Sequence, residues 1–154
     1  MRVFVALLLA LSLCGNGLAT SVAPRSLKDL VADSDHVIVA TVANVDMIDG
    51  KGQPVRDDAA RTGPGFSNEI RLHLEVREVL FTRRSAGLPR QVVVPLWQAW
   101  HYSLGAIRNA TTGATSIFLL KGDGFIPTYP AGFQRSLSEK DEIARLIDQL
   151  LRKQ

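Results

Sequence analysis

The hydrophobic positions of this chain fall into runs of different period, and each period predicts a different element. The first run is nearly continuous, with 14 of the first 19 residues apolar and a stretch from Val3 to Leu13 broken only by Ser12. Beyond it the pattern becomes short and structured. In Ser26-Leu27-Lys28-Asp29-Leu30-Val31-Ala32, the apolar Leu27, Leu30 and Val31 recur at i, i+3 and i+4, one face of a helix. Ser26 with Asp29 three residues on reads as an N-cap and capping box, so a helix of about two turns is predicted. His36 to Val45 is rich in β-branched residues and apolar on both faces at its start, the pattern of a central strand covered on two sides. Glu69 to Leu80 alternates instead. Ile70, Leu72, Leu74 and Val76 point one way, while Arg71, His73, Glu75 and Arg77 point to a wet face.

Shorter segments complete the pattern. Gln91 to Leu96 is a third strand, and its Pro95 assigns it to an edge or an end. Thr115 to Lys121 is a fourth, followed by the turn Gly122-Asp123-Gly124 and a short fifth strand from Phe125 to Tyr129. A closing helix is predicted with Ser138 as cap, Glu139, Asp141 and Glu142 in its first turn, and Arg152-Lys153 in its last. Its stripe of Ile143, Leu146, Ile147, Leu150 and Leu151 is a packing face. Two segments have no period. Asp49 to Ser67 is a 19-residue connection holding Gly50, Gly52, Gly63, Gly65, Pro54 and Pro64. Connections longer than about 12–15 residues are uncommon unless functional or mobile, so it is expected to be mobile. The second is Trp97 to Thr112, which opens Trp-Gln-Ala-Trp-His-Tyr.

Composition changes the picture at the N-terminus. Arg2, the 11-residue apolar stretch and the small Gly17 and Ala19 make a secretory signal with cleavage after Ala19. A spanning helix would need roughly 20 apolar residues, and Gly15-Asn16-Gly17 interrupt this one. Lipidation at Cys14 would ask for a small residue before it, where Leu13 stands. The expected organisation is a signal peptide over 1–19 and one domain over 20–154, periplasmic or secreted, with no transmembrane segment in the mature chain. Cys14 is the only cysteine of the sequence, so the exported domain must be held by packing without disulfides. The 18 Lys+Arg against 15 Asp+Glu give a net charge of +3. These charges are scattered, which argues against a nucleic-acid partner.

Helix, long strand, long loop, alternating strand, short strand, aromatic segment, hairpin and closing helix together describe a mainly β chain with flanking helices. The order resembles a five-stranded OB-like β-barrel with a short N-terminal helix and a C-terminal amphipathic helix. More narrowly, the stretches Ser26 to Val42, Leu74 to Leu80 and Ser116 to Lys121 are similar to small exported bacterial barrel domains related in shape to the netrin and metalloproteinase-inhibitor barrel. The resemblance spans most of the chain beyond residue 19 and implies a fold, with no settled activity and no catalytic residues. The inhibitors of that type begin with a metal-chelating cysteine, whereas the mature chain here would begin at Thr20, so inhibition by that route is not implied.

Candidate chemistry is sparse. His36, His73 and His101 have no metal-ligand spacing and read as a strand-end, a solvent-facing and a loop histidine. Asp46, Asp49-Gly50 and Asp57-Asp58 lack the spacing and closing glutamate of a calcium loop. No serine sits in a G-x-S-x-G elbow. Neither Gly63-Pro64-Gly65 nor Gly122-Asp123-Gly124 leads into a lysine-bearing helix start. Asn109-Ala110-Thr111 is a formal glycosylation sequon. No cofactor and no metal are expected. Trp97, Trp100 and Tyr102 crowd into six positions, where they either stack a ligand or plug one end of a barrel. The function these residues point to is an exported, non-catalytic binding or protein-interaction module for a protein or small ligand. Its expected surface is Trp97, Trp100, His101 and Tyr102 with Arg56, Asp57 and Asp58 of the long loop. One alternative is a periplasmic enzyme or metal-binding protein using Asp46, His73 and His101 near a barrel mouth. Another is a single-strand oligonucleotide face carrying Arg71, His73 and Arg77.

Overall fold

A computed structural model describes residues 22–152 of the chain. The predicted signal segment with Cys14, and Lys153 of the predicted closing helix, lie outside the described residues. Among the described residues, no helix is long and apolar enough to cross a membrane.

The elements run α1 (Leu27–Ala32), β1 (His36–Ile48), β2 (Glu69–Thr82), β3 (Gln91–Pro95), α2 (Leu104–Thr111), β4 (Thr115–Lys121), β5 (Ile126–Pro127) and β6 (Gln134–Arg135). A 3₁₀ turn (Leu137–Glu139) and α3 (Lys140–Leu151) close the order. The strands form one six-stranded sheet, β3-β2-β1-β4-β5 with β6 also on β4, and every pairing is antiparallel. The terminal strands β3 and β5 approach within 8 Å at Cα, but no ladder joins them. The sheet is therefore curled and open, with six strands in place of the five of a closed barrel.

β1 is central, as its two-sided apolar pattern requires, and its burial shows how the curl is made. Ile38, Ala40 and Val42 face an inner core, while Val37 and Val39 face an outer one. Beyond Val42 the inward positions become Val45 and Met47, a change of parity. The register explains it: Val42 pairs with Leu74 and Asn44 with His73, leaving Ala43 unpaired in a bulge. Further register shifts fall at Val37/Ile38 and Val39/Ala40. Bulges bend a strand and increase its twist, which lets this long strand wrap around the inner core. The inner core adds Ile70, Leu72 and Leu74 of β2, Val92 and Val94 of β3, Phe118 and Leu120 of β4, and Leu104 of α2. Outside, α1 and α3 cover Val37, Val39, Ile117 and Leu119 with Leu30, Val31, Ile143 and Ile147.

The predicted elements recur with instructive differences. Ser26 caps α1 by accepting from Asp29 N at 3.1 Å. Ser136, not Ser138, caps the C-terminal turn: its hydroxyl accepts from Ser138 N and the Glu139 carboxylate accepts from Ser136 N. Ser138 itself lies inside the 3₁₀ turn. β1 runs on to Ile48 because the bulge restarts its alternation. α2 breaks the aperiodic stretch between Trp97 and Thr112; Gly105 and Asn109 are poor helix formers, and the helix is held by packing of Leu104 and Ile107 on the inner core. Phe125 belongs to the turn at φ +51°, so β5 is only two residues long.

The bulge gives a sharp expectation. Deleting Ala43 leaves Val42, Asn44 and Val45 in plain alternation, so Val45 and Met47 keep their inward face and their partners Leu72 and Ile70, and only the local bend is lost. The deletion variant should keep a cooperative thermal transition by circular dichroism, at a melting temperature below that of the wild type. A melting temperature equal to the wild type would show that the bend at Ala43 contributes nothing to the wrapped core.

Candidate functional site

The gap between β3 and β5 is built by two prolines. Leu96 N donates to Ile70 O at 2.8 Å, and Thr128 N donates to Leu119 O at 3.0 Å. Successive residues of a strand turn their backbone groups to opposite sides, so Pro95 and Pro127, one position earlier, face away from β2 and β4. Both therefore present a missing N–H and a carbonyl to the seam. The two edges cannot bond across it there, and an open groove of about 650 Å³ remains. Pro95, Leu96 and Trp97 form one wall, Ile126, Pro127 and Pro130 the other, and Gly63 to Phe66 of the long connection the end. Three large apolar side chains are exposed along it: Phe66 at 50%, Trp97 at 40% and Ile126 at 51%. An apolar patch of this kind, lined from three separate segments, is characteristic of a binding surface.

The long connection is fastened to the aromatic segment by Thr62, which is 1% exposed. Its hydroxyl donates to Trp100 O at 2.7 Å and accepts from Tyr102 N at 3.2 Å, while its own N–H donates to Tyr102 O at 2.9 Å. Next to it, Gly63 takes φ +124° with the His101 ring directly above; a Cβ would stand 2.3 Å from His101 Nδ1. Only glycine fits. Asp49 Oδ1 accepts from Lys51 N and Gln53 N, both at 2.8 Å, and Ala60 O accepts from Leu104 N at 3.0 Å. The expectation of a mobile loop is replaced by a hydrogen-bonded strap, because short polar side chains close its turns locally.

The aromatic residues form a column. The Trp97 and Trp100 rings meet edge to face at 5.5 Å and 67°, and Trp100 meets Tyr102 at 6.0 Å and 71°. Tyr102 packs on the inner core, and burial pushes its phenol up from the ordinary value of 10. The column thus runs from core to groove, with Trp97 as its exposed end. Arg56, Asp57 and Asp58 are exposed and line no part of the groove. Asp57 accepts from Ala59 N, and Asp58 pairs with Arg108 of α2.

Asp46 and His73, which the sequence offered for chemistry, do meet. His73 Nε2 lies 2.9 Å from Asp46 Oδ2, although not aligned as a hydrogen bond. The pair is half-buried, so His73 does not simply face solvent. Arg71 clamps the same carboxylate with Nε at 2.8 Å and Nη2 at 2.6 Å. Burial pushes the Asp46 carboxyl up, but Arg71 and the neighbouring His73 outweigh it and hold the carboxyl below its ordinary 3.8. His101 sits apart, on Gly63. Among the described residues, no three His, Cys, Asp or Glu side chains converge as metal ligands. His36 is buried at 1%, with Nδ1 2.9 Å from Thr82 Oγ1 and its ring 5.2 Å from that of Phe125.

Phe66, Glu69 and Ile126 were missed as groove residues. A lone phenylalanine after Gly63-Pro64-Gly65, and a proline in each of two short strands, were the available signals. Comparison of the chain with protein-family models and with curated proteins finds no match.

Two measurements check this construction. Thr62→Val keeps the shape but strips two bonds from a buried site, so it should cost about 1–3 kcal/mol by denaturant midpoint, while Thr62→Ser costs much less. For Asp46 the folded value lies below the unfolded one. Its contribution to stability is therefore fully present above 3.8 and fades as pH falls through the depressed value. The stability gap between wild type and Asp46→Asn should stay constant at neutral pH and close only in acid; a gap that closes near neutrality would rule the ion pair out.

Proposed function

We propose that the protein is an exported, non-catalytic binding module that holds a partner in the groove between β3 and β5. The reading carries with it the OB-like barrel: the curled sheet is such a barrel with one seam left open, kin in shape to the exported bacterial domains and the netrin-type barrel. The supporting observation is the groove itself, where Phe66, Trp97 and Ile126 stand exposed around a lining whose one titratable side chain is Glu69. Binding sites are concave and mostly apolar with few placed polar groups, and this lining has that character. Acid–base work would ask for convergent titratable groups. The Asp46 and His73 pair lies outside the groove lining, and Arg71 already occupies its carboxylate. The oligonucleotide alternative loses support because Arg71 pairs with Asp46 and Arg77 with Glu75.

Placing a benzophenone photocrosslinking residue at Ile126, in cells that export the protein, tests the reading. A discrete crosslinked product is expected from position 126 and not from the exposed Asn109 on α2. Trp97→Ala should abolish the product while shifting the melting temperature little, since Trp97 is the exposed end of its column. No product at Ile126, or the same products from both positions, would overturn the assignment.

A further inference from the structure

We infer that the groove recognises a cationic side chain, arginine or lysine, carried on an extended apolar segment of its partner. The inference rests on the binding reading above and adds the chemistry of the ligand. Its observation is Glu69. Among the described residues, the other sheet carboxylates each have a cationic partner: Asp46 has Arg71, Glu75 has Arg77 and Glu78 has Lys140. Glu69 has none. It is half-buried, lines the groove, and takes only the neutral amide of Gln98 at 3.2 Å. A carboxylate drawn partly out of water and left without an ion pair of its own is complementary to a cation.

The rest of the lining agrees in sign. No lysine, arginine or histidine lines the groove. Pro95 and Pro127 turn carbonyl oxygens toward the seam and have no N–H to offer, so at these two positions the edges accept hydrogen bonds without donating them. Trp97 and Phe66 are exposed aromatic rings, and the negative quadrupole of such a ring's face attracts a guanidinium or ammonium. Ile126, Leu96 and Pro130 would cover the aliphatic stem and its neighbours. An anionic ligand would meet Glu69 with no cationic side chain in the lining to offset it. An added β-strand would find no donor at residue 95 or 127, which leaves an extended segment held mainly through its side chains. The whole chain carries +3, so attraction for a basic segment is local to the groove.

The test uses three blocked pentapeptides built on leucine and proline, with arginine, citrulline or leucine at the centre. Citrulline keeps the shape of arginine and removes its charge. Binding to the exported protein is followed by calorimetry and by tryptophan fluorescence. The arginine peptide should bind at least about tenfold more tightly than the citrulline peptide, a preference that Glu69→Gln should erase without lowering the melting temperature. Equal binding of all three peptides, lost on Trp97→Ala, would overturn the cation inference and leave the binding groove standing. No binding by any peptide, with the crosslink at position 126 still formed, would also overturn it, since the groove would then be filled by other chemistry. Loss of both the peptides and the crosslink would bring down the binding reading as well.

Discussion

A proline on the free side of an edge strand removes the donor that a neighbouring strand would need, and this protein places one on each side of the same seam. Pro95 ends β3 and Pro127 ends β5, each one residue before a laddered N–H. The bulges of β1 bring these two edges within 8 Å at Cα, against the roughly 4.5–5.5 Å of paired antiparallel residues. Curl and proline therefore act against each other. The curl would close the sheet into a barrel, while the prolines leave it unzipped along one line. Exposed apolar side chains collect along that line because the core reaches the surface where the sheet does not close over it.

The groove keeps its shape through contacts far apart in sequence. Thr62 ties the long connection to the backbone of Trp100 and Tyr102, and the aromatic column carries the same tie down to the inner core. Ordering a connection of this length costs conformational entropy at every residue. Asx turns at Asp49, bonds from Ala60 and Asp58 to the start of α2, and the Gly63 seat for His101 offset that cost piece by piece. None is large alone. Together they present Phe66 opposite Ile126 on a fixed frame, and a rigid frame loses less on binding than a loop that must first be ordered.

The sheet was largely legible in the sequence because its periods are clean. The wet face of β2, the double burial of β1, the edge position of β3 and the hairpin at Gly122 all follow from alternation and turn chemistry. α2 was not legible, since its short sequence has only Leu104 and Ile107 to mark a face. The groove was half legible. Trp97 stood out by type, but its partners Phe66, Glu69 and Ile126 come from three segments that only the curl unites. Arg56, Asp57 and Asp58 drew notice as charges in an irregular loop, and their hydrogen bonds lead to neighbouring backbone and to α2.

Charge pairing over the sheet also explains why the opening has a chemical character as well as a shape. Asp46 is neutralised from the adjacent strand, Glu75 from its own strand and Glu78 from the covering helix α3. Glu69 begins β2 beside the seam, where the next position on that side is Pro95, Leu96 and Trp97 instead of a further strand with a basic side chain. The interruption that exposes Trp97 is thus the same one that leaves Glu69 without an ion pair of its own. An unfinished edge would ordinarily invite another strand, with the risk of indiscriminate association. Two prolines refuse that strand, and on the proposed reading the Glu69 carboxylate beside Trp97 and Phe66 favours a cationic side chain in its place. A chain whose described residues contain no cysteine holds this opening by packing and polar contacts alone, so the shape of the seam depends on the column and the strap behind it staying in place.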